Sequence, residues 1–85
     1  MKMMNIMPKA FVLINCELGS ERQVIDDLKS VNCVKHVYGV FGAYDILANL
    51  ECNQHEELRQ MIMMKIRQIN NIRSTITLMG IEGQC

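Results

Sequence analysis

The sequence predicts an α+β domain in which a four-stranded antiparallel sheet carries two helices on one face. Three observations predict it. Four short runs rich in β-branched and aromatic residues are too short for ordinary helices. Two intervening stretches repeat their apolar residues at helical spacing. The middle two runs meet directly at a glycine-containing corner, so they pair as a hairpin.

Pro8 ends an irregular start (residues 1–9), and residues 10–18 read as the first strand. Its registers are Val12, Ile14, Cys16, Leu18 and Phe11, Leu13, Asn15, Glu17. Apolar residues in both predict a central strand covered on both sides. Gly19 and Ser20 break it. Ser20 with Gln23 matches a capping box, in which each side chain satisfies a free N–H of the first turn. The helix runs to about Ser30, with Val24, Ile25, Leu28 and Val31 on one face.

Residues 34–40 form the second strand and 44–52 the third. In the third, Ile46, Ala48 and Leu50 share one face, and Asp45, Leu47 and Asn49 the other. Asn53 with Glu56 repeats the capping pattern before a second helix that runs to about Asn70. Leu58, Ile62, Ile66 and Ile69 form its stripe, widened by Met61, Met63 and Met64. Asn70 and Asn71 end it, residues 72–79 form the fourth strand, and 82–85 form a tail. The domain proper is 10–81, in the ferredoxin-like order β-α-β-β-α-β. The sheet face away from the helices exposes Leu13, Leu47 and Val37 in a monomer, so it predicts self-association, a dimer through that face.

Composition narrows the function. The chain has 85 residues, enough for one domain with a thin core. Nine basic and nine acidic residues give zero formal net charge, which removes the electrostatic footprint of a nucleic-acid binder. No apolar run approaches the roughly 20 residues of a membrane span, and the start has no adequate signal-peptide core. The expectation is a cytoplasmic protein. Four cysteines, Cys16, Cys33, Cys52 and Cys85, form no C-x-x-C pair and read as reduced thiols. His36 and His55 stand at no ligand spacing from them, so neither a metal nor another cofactor is expected.

The most informative segment is 37–50, V-Y-G-V-F-G-A-Y-D-I-L-A-N-L. Glycine permits backbone angles and close approaches that other residues resist. N–H groups near Gly39 and Gly42 suit a carboxylate, and Asp45 suits an ammonium through charge-assisted acceptance. Together they suit a small zwitterion. The competing reading is that Asp45 only shapes the turn.

The element order and the G-A-Y-D corner together resemble the RAM domain, the effector-binding and oligomerisation module of the Lrp/AsnC family of transcriptional regulators. The similarity covers about residues 10–81 and rests on V-Y-G-V-F-G-A-Y-D-I-L at 37–47, M-K-I-R at 64–67 and I-R-S-T-I-T at 72–77. Full-length members carry an N-terminal helix-turn-helix, so a stand-alone module is expected. The resemblance implies dimers that close into larger rings, with an amino-acid effector at a junction between dimers. It implies a ligand site made of Gly39, Gly42, Tyr44 and Asp45, with Ser74, Thr75 and Thr77 on the strand facing the cleft.

The function expected is therefore an effector-binding and oligomerisation module in transcriptional regulation, without catalysis. There is no activated nucleophile, H-E-x-x-H helix or phosphate loop. One alternative is a partner subunit that co-assembles with full-length Lrp/AsnC regulators without binding a ligand. Another is a small ferredoxin-like dimeric enzyme, for which His36 is the best candidate residue.

Overall fold

A computed structural model describes residues 8–80. Its elements are β1 (Lys9–Cys16), α1 (Glu21–Lys29), β2 (Val34–Gly39), β3 (Ile46–Glu51), α2 (His55–Gln60) and β4 (Ile72–Met79). α2 continues without a break into a π-helical turn, Met61–Ile66. The strands form one antiparallel sheet in the order β2-β3-β1-β4, the ferredoxin-like arrangement expected from the element order. Most of the irregular start and the tail lie outside the described residues, as does Cys85.

β1 is the central strand, paired with β3 on one side and β4 on the other. Its alternation sorts the whole sheet. Ala10, Val12, Ile14 and Cys16 are buried beneath the helices with Ile46, Ala48 and Leu50 of β3. Val24 and Leu28 of α1 and Leu58, Ile62 and Ile66 of the second helix close the core from above. The opposite face carries Tyr38, Leu47, Leu13 and Ile76 in one row across all four strands. Phe11 and Leu78 pair in the next row. Phe11, Ile76, Tyr38 and Leu78 are between 42% and 54% exposed, so this face is apolar and uncovered in the single chain.

Several expectations are corrected. Val37 does not share the open face with Leu47. A bulge at Lys35 inserts one residue into β2, so Val37 pairs with Ala48 on the helix side and Tyr38 takes the place opposite Leu47. β1 stops at Cys16, because Glu17 N–H donates to Asn71 O at 2.8 Å and the chain then turns through Gly19 at φ +83°. Leu18 is consequently outside the sheet and 95% exposed.

The helix ends also differ. Ser20 makes no side-chain cap, and the side chain of Gln23 turns to other partners. Its amide donates to Asp27 Oδ2 at 2.7 Å and accepts from Asn71 Nδ2 at 2.7 Å, tying α1 to the turn before β4. At α2 the cap falls one residue later than expected, at Gln54, and Glu57 accepts from Asn53 N–H at 3.3 Å. The second helix stops at Ile66 rather than Asn70. Asn71 adopts φ +72°, a left-handed conformation that asparagine tolerates better than most residues and that ends the turn into β4.

The cysteines are corrected as well. Cys33 and Cys52 form a disulfide, with Cα atoms 5.2 Å apart. They are 19 positions apart in sequence and meet only because β2 and β3 pair as a hairpin. Cys16 is a buried free thiol.

Three outcomes are expected in urea denaturation. Leu28→Ala costs about 2–5 kcal/mol of stability because the cavity lies in the core, whereas Leu18→Ala changes it by less than about 0.5 kcal/mol. Reducing the disulfide removes about 3 kcal/mol, the chain-entropy value for a ring of this size.

Candidate functional site

The corner between β2 and β3 is built around one aspartate. Asp45 N–H donates to Ile14 O at 3.0 Å, and Asp45 O accepts from Val40 N–H at 2.9 Å. Its Oδ2 accepts from Cys16 N–H at 3.0 Å. The carboxylate thus takes the place of a ladder carbonyl where the β1–β3 pairing runs out. The side chain is half-buried.

Gly42 adopts φ +133°, which explains a glycine here on conformation alone. A Cβ built on Gly39 or Gly42 would meet nothing within 4 Å, so neither glycine is kept small by a packed neighbour. Among the described residues, no protein acceptor engages the N–H groups of residues 41–44. Phe41 is fully exposed beside them, and Tyr44 is half-buried.

Beside Asp45 is an open cleft of about 400 Å³, lined by Asn15, Asp45, Arg73 and Ser74. This is within the size range of small-molecule sites. Asn15 and Ser74 pair across β1 and β4 on the open face, and Asn15 Nδ2 donates to Ser74 Oγ at 3.5 Å. Arg73 reaches the same cleft because it is the extra residue of a bulge: Asn15 pairs with Ser74, but Cys16 pairs with Ile72. Its Nε lies 4.0 Å from Glu17 Oε2, both side chains being mostly exposed, so the pair is loose. The cleft is therefore lined by both a carboxylate and a guanidinium.

Of the residues expected from the sequence, Asp45 and Ser74 share this cleft. Gly39, Gly42 and Tyr44 belong to the corner but do not line it. Thr75 and Thr77 are in register with Ile14 and Val12, on the helix side of β4. Thr77 Oγ1 is buried there without a partner among the described residues. Asn15 and Arg73 were not expected. The first is legible only once β1 and β4 are aligned, and the second only once the bulge is known.

Cys16 lies behind Asp45. Burial pushes its thiol pKa up, and the nearby carboxylates of Asp45 and Glu21, with a hydrogen bond to Asp45, push it further. The sulfur is held as a neutral thiol, which does not suit a nucleophile.

The sequence matches the family model of the Lrp/AsnC ligand binding domain over residues 9–82. It is 35% identical over 68 residues to an uncharacterized HTH-type transcriptional regulator of Pyrococcus abyssi, covering 80% of this chain and 43% of that protein. The chain spans about half the length of the regulators it matches. A hypothetical protein of Pyrococcus horikoshii, solved by crystallography, is 36% identical with a TM-score of 0.83, covering 88% of this chain and 90% of that one. A transcriptional regulator from Neisseria meningitidis, crystallised as a complex with L-Met, is alike in fold alone. It shares 9% identity at a TM-score of 0.76, covering 93% of this chain and 53% of that one.

The two roles open to Asp45 separate by substitution. Asp45→Ala removes the acceptor of Cys16 N–H and is expected to cost about 1.5–3 kcal/mol. Asp45→Asn keeps an acceptor oxygen, removes the charge and is expected to cost less than half as much. Equilibrium denaturation of the two variants checks this.

Proposed function

The chain belongs to the Lrp/AsnC ligand-binding-domain family, and from that premise we propose that it is an effector-binding and oligomerisation module whose effector is an amino acid. The observation that carries this reading is that Asp45 and Arg73, a carboxylate and a guanidinium, line one cleft. An α-amino acid presents an ammonium and a carboxylate a few ångströms apart. Asp45 Oδ1 accepts from the ammonium, and Arg73 receives the carboxylate with Asn15 and Ser74 as neutral donors. The open N–H groups around Gly42 offer a second carboxylate position beside Tyr44. Gly39 contributes through the course of the corner, and Thr75 and Thr77 through the strand that carries Ser74.

The relatives are transcriptional regulators, and regulation of transcription through assembly, without catalysis and in the cytoplasm, is part of this proposal. No helix among the described residues is long and apolar enough to cross a membrane. The apolar open face supplies the assembly surface. A second copy laid on it covers Leu13, Leu47, Ile76 and their neighbours, giving a dimer, and dimers joined at the cleft ends close into larger rings. Because Asn15 lies on the same strand face as Leu13, the effector cleft and the assembly surface adjoin along β1.

The same open face favours a second reading, co-assembly with longer regulators of the family. In that case the chain tunes a partner's assembly state rather than contacting DNA itself. Zero formal net charge fits that division of labour.

A thermal-shift screen against the twenty amino acids tests the effector. A ligand of about ten heavy atoms at about −0.5 kcal/mol per atom binds on the order of 0.2 mM. At a hundredfold excess over Kd, it stabilises the folded state by about 2.7 kcal/mol. The expected outcome is a selective rise in Tm that disappears in Asp45→Asn and Arg73→Ala. The absence of a rise with any amino acid overturns the effector reading. For assembly, Leu13→Asp is expected to convert the dimer to a monomer in sedimentation velocity, with the fold kept in circular dichroism.

A further inference from the structure

The far end of the β2–β3 hairpin holds a group of side chains that the effector reading does not use. Cys33 ends the α1–β2 turn at φ +77°, and Cys52 follows β3 directly. The first turn of α2 then brings Glu57 to the same place, where its Oε1 is oriented by Asn53 N–H at 3.3 Å. The ligand atoms of Cys33, Cys52 and Glu57 all lie within 4.8 Å of one another. Cys52 is 2% exposed, whereas Cys33 is only partly buried, so the group runs from the core towards the surface.

The geometry points to a binding site for a thiophilic divalent cation of the zinc class, formed by Cys33, Cys52 and Glu57 when the disulfide is reduced. Two thiolates and a carboxylate fit that ion. At zinc–sulfur distances near 2.3 Å and zinc–oxygen distances near 2.1 Å, neighbouring ligand atoms of a tetrahedral centre stand about 3.5–3.8 Å apart. The ligand atoms lie within 4.8 Å of one another, an upper limit about an ångström above that spacing, and the sulfurs separate when their bond is broken. A tetrahedral centre with three protein ligands would leave its fourth position to water. The bond from Asn53 N–H fixes the Glu57 carboxylate before metal arrives, as a supporting hydrogen bond does in known centres.

Disulfide and metal compete for the same two sulfur atoms. A dithiol reductant breaks the Cys33–Cys52 bond by exchange; two cysteine thiols form, and the reductant leaves as its own disulfide. Binding of the cation then replaces the two thiol protons, which are released to solvent, and the carboxylate adds without a proton change. The hairpin end is thus stapled in either condition, covalently when oxidised and through the ion when reduced. The chemistry is independent of the effector cleft, which lies at the opposite end of the hairpin.

The test is a Co²⁺ titration of phosphine-reduced protein without oxygen, read by thiolate-to-cobalt absorption in the near ultraviolet. The expected result is saturation at one ion per chain, displacement by Zn²⁺, and no absorption from the oxidised protein. Cys33→Ser and Cys52→Ser are each expected to abolish the absorption. Glu57→Gln leaves every thiol in place, and it is expected to weaken binding by at least about tenfold, as the loss of even an outer-shell partner does. No absorption from the reduced parent, absorption that survives in Cys33→Ser, or an unchanged affinity in Glu57→Gln each overturns the assignment.

Discussion

Everything in this fold hangs on the register of β1. It is paired on both sides, so its two-residue alternation decides at once which residues of β3 and β4 lie under the helices and which face outward. A slip by one residue would expose Val12 and Ile14 and bury Asn15 in the core. The apolar content of both faces looks ambiguous for an isolated strand. It is resolved because one face is covered by this chain's own helices, whereas the other is uncovered in the single chain.

Asp45 stands where that register ends. Its main chain and one carboxylate oxygen hold the corner to β1, and the same residue lines the cleft. A structural role and a recognition role are commonly treated as rivals. In the site proposed above they reinforce one another, because a carboxylate fixed by Cys16 N–H would lose little further freedom on receiving a ligand. The cost is that a deletion of the side chain disturbs both roles together, so the charge has to be removed with the shape retained.

Periodicity made the architecture legible. The stripe of Leu58, Ile62 and Ile66, the alternation of Ile46, Ala48 and Leu50, and the fourth strand at Ile72–Met79 are local patterns, and each is realised as read. What the sequence hid was set by insertion or by distance. The bulges at Lys35 and Arg73 each shift parity by one, which moved Val37 to the covered side and delivered Arg73 to the cleft. Neither residue type announces a bulge. The Gln23–Asn71 bond and the Cys33–Cys52 pair join residues 48 and 19 positions apart, beyond the reach of any capping or spacing rule.

The disulfide also changes what a cut in the chain would mean. Residues 33–52 form a closed covalent ring, and the exposed corner at Phe41 and Gly42 lies within it. Exposed tips of this kind are where proteases enter. In the oxidised protein a single cleavage there opens the ring but releases no fragment, since both ends stay joined through sulfur. The two edges of the corner remain neighbours across a nick, and only a reducing environment would turn that nick into two separate pieces.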